Sequence, residues 1–379
     1  MRTAIILMIL KRKRTVIDIS TIGSAEAAEL SLRSLYAKHG YLPFKMSKFE
    51  EYDLYVRNKD FLISDNVITF NDTDGRLLAM KPDVTLSIVK NAKLERGCKT
   101  KVYYSESVYR VSPRLRRFGE LRQTGLECVG DTDIVDTLEV VSLAAESLAE
   151  ISSDFILDLS HLGILSAVIS AVSTDKGFKK EATRLLAEKN RHELLALCKS
   201  IGADERAANT LLSFIDLYGD IGDVLAILAP ICEEVGCMDA YTELERLCML
   251  LSSTERADRI KLDFSVVNDM SYYNGIVFTG FIEGIPDGVL AGGEYGGLVR
   301  KMGKAAGAVG FAVYLDMLEE ISYDGAAYDV DVLIVYDDGA MIEDILERKA
   351  AFIAEGKSVS LQRAIPEKLR YKELVRMEG

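Results

Sequence analysis

The order of apolar periodicities in this chain predicts an α+β fold, a largely antiparallel sheet flanked by helices and interrupted by a helical insertion. Three observations support that prediction. Strand-like segments bounded by turn residues fill 61–130 and resume at 262. Residues from about 165 to 258 carry helical spacing alone. After Asp324-Gly325 the pattern starts afresh as a short α/β unit. The expected organisation is a core of residues 1–325, with the insertion at about 165–258, and a separate unit at 326–379.

Each element has its own signal. Ala28, Leu30, Leu32, Leu35 and Tyr36 recur at helical spacing, predicting a helix over 25–40 that Gly40 stops. "VITF" followed by "NDTDGR" predicts a hairpin, because Asp-Gly accepts positive φ. "LLAMKPDVTLSIVKNA" (77–92) continues as a strand, a turn at Pro82 and an amphipathic helix. "KVYYSESVYRV" and "LRQTGLECVG" read as two strands around the charged loop "SPRLRRFGE". Ile134, Leu138, Val141 and Leu148 mark a helix over 133–151, and "FILDLS" marks a buried strand. Within the insertion, Gly202, Gly219 and Gly236 break successive helices. Strands return in "KLDFSVV", "YYNGIVFTGFI", the glycine turns of "LAGGEYGG", and "AAGAVGFAVYLDMLEEI".

In the last unit "YDVDVLIVY" reads as a buried strand and "SVSLQRA" as a second one. Between them Ile342, Ile345, Leu346 and Ile353 form a helix stripe closed by Gly356, and "PEKLRYKELVRM" reads as the start of another helix. A parallel sheet this small leaves a face to be covered by the main body or by a partner chain.

Lysine and arginine number 46 against 59 aspartate and glutamate, a net charge of −13 that argues against a general nucleic-acid binder. A local basic patch exists nonetheless in Arg110, Arg114, Arg116, Arg117 and Arg122. It reads either as a solvated loop or as a contact for a phosphate or an anionic partner surface. The six cysteines include no Cys-x-x-Cys, and no histidine stands at zinc spacing from the close pair Cys232 and Cys237. Reduced thiols and no metal site are expected. "AIILMIL" (4–10) is too short to span a bilayer, and the basic "KRKR" follows it where a secretory signal would carry its charge in front. A cytoplasmic protein with no membrane segment is expected, its residues 1–15 a frayed strand or an early start. His39, His161 and His192 match no signature, and no cofactor is expected. "AGGEYGG" reads as a glycine hairpin with no following helix N-terminus, hence not a phosphate loop.

Read in order, five stretches resemble the histidyl-tRNA synthetase family of class II aminoacyl-tRNA synthetases. Residues 77–92 resemble its L-A-L-R-P-E-x-T stretch, and "SVYRVSPRLRRFGELRQTGLECVG" (107–130) resembles its motif 2. "NDMSYYNGIVF" (268–278) resembles the histidine signature R-G-L-D-Y-Y-T-x-x-V-F. "AGGEYGGL" (291–298) resembles A-G-G-R-Y-D-x-L, and "GFAVYLDML" (310–318) resembles motif 3. The resemblance implies a class II synthetase-like sheet and a histidine pocket. Asp83 and Gln123 would meet the ligand's α-amino group, with Thr85 beside them. Glu127 and Tyr273 would meet its imidazole, with Tyr272 and Tyr295 in the same pocket. A carboxylate and a phenol suit the two ring nitrogens, of which one donates and the other accepts.

The departures concern charge. Asn268 stands for the signature arginine, Met317 for the motif 3 arginine, and Glu294 and Gly296 for the Arg and Asp of A-G-G-R-Y-D. Ser112 stands for the motif 2 glutamate and Ser47 for the motif 1 proline. Adenylation stabilises charge growing at a phosphate and needs fixed cations, so no catalytic residue is expected. The end of the chain resembles the opening β-α-β of the synthetase anticodon-binding domain, about half of it.

A synthetase-like core with these changes is similar to the regulatory subunits of ATP phosphoribosyltransferase. That family implies a short-form catalytic subunit as partner, histidine as allosteric ligand, and a homodimer inside a hetero-oligomer. Its members usually end near motif 3, so the last unit here departs from the pattern. Two alternatives stay open. One is a divergent synthetase-like ligase that still activates histidine or an analogue. The other is a histidine-sensing or RNA-associated adaptor using the arginine loop.

Overall fold

The computed structural model describes residues 23–58, 66–95, 97–112, 117–267, 272–322 and 328–379. Two units divide the chain, Met1–Glu319 and Glu320–Gly379. Residues 1–15 lie outside the described residues.

The first unit opens with α1 (Ser24–Lys38), which buries Ala25, Ala28, Leu32 and Tyr36. It stops where Gly40 takes φ +82°. Leu30 points the other way and is 52% exposed, because position 30 lies across the helix from that buried row. There follow β1 (Leu42–Pro43), β2 (Phe49–Glu51), α2 (Tyr52–Arg57), β3 (Thr69–Asn71), β4 (Leu77–Met80) and α3 (Thr85–Asn91). Two long strands, β5 (Lys99–Ser112) and β6 (Arg117–Gly130), lead to α4 (Ile134–Ile151) and β7 (Phe155–His161).

The helical block comprises α5 (Leu162–Val172), α6 (Lys176–Ala187), α7 (Arg191–Ser200), α8 (Glu205–Ser213), α9 (Ile221–Val235) and α10 (Met238–Leu251). A two-residue strand, β8 (Tyr218–Gly219), sits inside it. Asp175, Asn190 and Asp204 cap α6, α7 and α8 by accepting from Phe178, Glu193 and Ala207 N–H. The chain then completes the sheet with β9 (Ile260–Asp263), β10 (Ile276–Ile282), β11 (Leu290–Glu294), α11 (Gly296–Lys301), β12 (Gly307–Tyr314) and α12 (Leu315–Ser322). A short helix therefore does follow the "AGGEYGG" glycines; its Gly297 N–H is taken by Asn274 Oδ1 at 3.0 Å.

Among the described residues nine strands pair in the order β1-β5-β6-β12-β11-β10-β7-β9-β8. Most pairs are antiparallel, but β1–β5 and β7–β9 run parallel, so the sheet is mixed. The predicted hairpin is β3–β4, in a separate three-stranded sheet ordered β2-β4-β3. Helices α1 and α4 pack on one face of the large sheet. Tyr36, Leu148, Leu157, Leu159, Phe278 and Phe311 share that core. The opposite face is left for the site described below.

Helix α4 is held at its start by a reciprocal cap. Asp133 accepts from Val135 N–H at 2.8 Å, and Asp136 accepts from Asp133 N–H at 2.8 Å. Asp133→Ala is expected to lower stability by about 1 kcal/mol. A urea-denaturation midpoint unchanged by the substitution would contradict this.

All six cysteines are free thiols. Among the described residues no helix is long and apolar enough to cross a membrane, and no cluster of three or more metal-ligating side chains occurs.

The second unit contains β13 (Val330–Tyr336), α13 (Ile342–Ala354), β14 (Val359–Gln362) and β15 (Tyr371–Met377). All three strands are parallel, in the order β14-β13-β15. The last element is thus a strand where helical spacing suggested a helix. Val375 and Met377, two residues apart, join Val332, Ile334 and Phe352 in one core. The open edge of β13 supplies the backbone partners that a terminal helix would not have needed, and that pairing overrides a weak local preference. The helix stripe also narrows. Ile345 and Phe352 are buried, whereas Ile342, Leu346 and Ile353 are exposed, because a three-stranded face takes only one row of helix side chains.

Candidate functional site

Residues on β6, β12 and β11 alternate between the helix-packed core and the opposite face. Register sets Glu127 opposite Gly310, which faces Gly293, and Gly125 opposite Ala312, which faces Ala291. Glycine and alanine thus floor a trough on the open face, and larger side chains stand around it. The resulting cavity has a volume of about 170 Å³, several times the ~30 Å³ share of one water. It has the scale of a single small metabolite.

All seven residues expected to bind histidine, Asp83, Thr85, Gln123, Glu127, Tyr272, Tyr273 and Tyr295, line this one cavity. Asp83 and Thr85 come from the turn into α3, Gln123 and Glu127 from β6, the Tyr272-Tyr273 pair from the approach to β10, and Tyr295 from the end of β11. Sequence reading missed Tyr104, Ala291, Gly310, Phe311, Ala312 and Tyr314, which also line it. Their signal is cross-strand: Tyr104 pairs with Gly125 and Tyr314 with Gln123. It becomes readable only once the strand pairing is known.

Glu127 is the centre of the network. Thr85 Oγ1 donates to Glu127 Oε1 at 2.7 Å, and the Tyr295 hydroxyl donates to Glu127 Oε2 at 2.5 Å. Burial pushes the Glu127 carboxyl up to about 8, outweighing the two hydroxyl donors that favour its charged form. Asp83 is likewise raised by burial, opposed by the Leu86 N–H it accepts at 2.9 Å and by the charge of Arg110. Burial holds the phenols of Tyr104, Tyr272 and Tyr295 well above their usual range, so they stay neutral donors. The Tyr272 and Tyr273 rings sit 4.6 Å apart, and Tyr272 lies 5.7 Å from Tyr295. No lysine or arginine occurs among the described lining residues. Two acids, an amide and several phenols without a lining cation suit a ligand that carries donors and positive charge.

The arginines separate. Arg110 is 8% exposed, on the same face of β5 as Tyr104. Arg117 is exposed at the start of β6, and the guanidinium of Arg122 lies 3.7 Å from Glu29. Arg114 and Arg116 lie outside the described residues, as do Asn268 and the side chain of Ser112. Met317 packs partly buried against the core. Glu294 does not line the cavity. Register alternation puts it on the helix-packed face, where Thr137 Oγ1 of α4 donates to it at 2.7 Å. A charge reversal there acts behind the pocket floor.

Comparison with known proteins extends this geometry. The ATP phosphoribosyltransferase regulatory subunit of Desulfitobacterium hafniense is 27% identical over 301 residues, 78% of this chain and 77% of that one. Its counterpart from Lysinibacillus sphaericus is 27% identical over 342 residues, 89% and 88% of the two chains. Among solved structures, an ATP phosphoribosyltransferase regulatory subunit/histidyl-tRNA synthetase from Bacillus halodurans superposes with a TM-score of 0.69 at 22% identity, covering 94% of each chain. A chain of the Thermotoga maritima ATP phosphoribosyl transferase (HisG:HisZ) complex gives 0.59 at 20% identity, covering 79% of this chain and 98% of that one. The sequence model of histidyl-tRNA synthetase matches residues 20–318. With a matched span that includes every residue of the pocket, the chain belongs to the histidyl-tRNA synthetase family.

Proposed function

We propose that this chain is a non-catalytic regulatory subunit of ATP phosphoribosyltransferase that activates a short catalytic subunit and carries its feedback signal, histidine. The observation that carries the reading is its similarity to regulatory subunits of that enzyme over most of both chains. The pocket supports the ligand. Asp83, Gln123, Glu127 and Tyr273 line one cavity, which fits the expectation that the first two meet an α-ammonium and the last two an imidazole.

Met317 and Asn268 supply no cation where the synthetases hold arginines, which argues against adenylation. The subunit is expected in the cytoplasm, as a homodimer within a hetero-oligomer. The core and the last unit are expected to behave as separate domains, divided near residue 325. Histidine would act by favouring an inhibited arrangement of the assembly, so substrate and histidine must weaken each other's binding by the same factor.

The test mixes the purified chain with the short catalytic subunit from the same source and follows phosphoribosyl transfer with and without histidine. Stimulation that histidine reverses is expected; absence of a complex and of stimulation would overturn the proposal. Family membership also favours a second reading, a ligase that still activates histidine. Histidine-dependent exchange of pyrophosphate into ATP would support it.

A further inference from the structure

We infer that Glu294 is a positioning residue that seats the Tyr272–Tyr273 wall of the pocket from behind the sheet. This rests on the reading of the pocket as a histidine site. Tyr272 and Tyr273 precede β10 in a stretch without regular structure, so something other than a ladder must hold them. Glu294 holds that stretch with two hydrogen bonds and ties itself to α4 with a third. Its backbone carbonyl accepts from Asn274 N–H at 3.0 Å. Its carboxylate Oε2 accepts from Ile276 N–H at 3.1 Å, and Oε1 accepts from Thr137 Oγ1 at 2.7 Å. The carboxylate also lies flat on Gly275: a Cβ built there would meet Glu294 Oε2 at 2.0 Å.

Residues 274–276, which lead into β10, are therefore tied to β11 and to α4 through one residue. The next residue, Tyr295, lines the pocket and donates to Glu127. The first helix of the insertion reaches the same turn, as Leu162 N–H donates to Gly275 O at 3.0 Å. Burial raises the Glu294 carboxyl, with Thr137 and Ile276 favouring its charged form, and Glu243 and His161 of opposite effect nearby. The two donors it satisfies require an acceptor on each oxygen. A neutral amide can offer only one oxygen, so its NH2 group would face either a hydroxyl that must turn or an N–H that cannot.

Histidine and thienylalanine, a ring analogue without ring nitrogens, are titrated calorimetrically into the full-length wild type and Glu294→Gln. Thr137→Val, which removes one donor and keeps the shape, provides a second variant should the first fail to fold. The expected result is a roughly tenfold loss of histidine affinity in Glu294→Gln and a smaller loss in Thr137→Val. Preference for histidine over the analogue should fall by the same factor, because only the ring contact to Tyr273 is loosened. Unchanged affinity and preference in the folded variants would overturn the inference, as would equal losses for both ligands, which mark general destabilisation. Failure of the wild type to bind histidine overturns the histidine reading itself, and this inference with it.

Discussion

A single methyl group at position 310 is expected to abolish histidine binding and to destabilise the fold by about 2–3 kcal/mol. A Cβ on Gly310 would lie 1.7 Å from Glu127 Oε2 and 2.5 Å from the Leu126 carbonyl. The first contact could be relieved by swinging Glu127 away, which removes the centre of the pocket. The second is with backbone, in the neighbouring strand of a continuous ladder from Gly307 to Tyr314, and cannot be relieved without breaking β6–β12 pairing. Gly310→Ala should therefore lower the urea midpoint and leave no heat of histidine binding. Gly297→Ala serves as the control, since its Cβ would meet only Asn274 Oδ1 at 3.7 Å. A Gly310→Ala protein as stable as wild type would refute the close packing of Glu127 on the floor.

Glu127→Gln is expected to weaken histidine binding about 10- to 100-fold, the range for losing a charged hydrogen-bond partner. It should also make the empty protein more stable at alkaline pH. Burial raises the Glu127 carboxyl from its ordinary 4.5 to about 8, so between those values the folded state holds a proton that the unfolded state has released. Stability from this group is complete below pH 4.5 and is lost as pH rises through 8. Glutamine keeps the size, does not titrate, and can still meet the hydroxyls of Thr85 and Tyr295, which turn to accept. The difference in melting temperature between variant and wild type should widen from pH 5 to pH 8.5. Parallel curves would show that Glu127 is ionised in the empty pocket at all these values.

Much of this was legible before the structure. Period-two alternation between Gln123, Gly125 and Glu127 marks one face of a strand whatever it pairs with, and the motif resemblance attached those residues to a ligand. Tyr104 and Tyr314 escaped because they enter through register: Tyr104 reaches the site across β5–β6, and Tyr314 from a segment some two hundred residues from its partner Gln123. Glu294 was expected only as a reversed charge where the synthetases hold an arginine. One step along a strand moves a side chain to the other face, and that step puts it behind the floor. The final strand was misread for a related reason: "YKELVRM" has apolar residues that fit either period, and only the free edge of β13 decides between them.

The parallel pairing of β7 and β9 changes what the helical block is. In a sheet, a chain that leaves one strand and returns parallel beside it needs a crossover of about a dozen residues or more. Leu157 pairs with Ile260 and Leu159 with Leu262, so the chain between His161 and Ile260, which returns to the sheet only at the two-residue β8, makes that crossover. The six helices are therefore an enlarged connection, and their excision would leave β9 without a route to its place. Any engineered miniature of this protein must keep a bridge across that gap, though the bridge could be far shorter than the block that now spans it.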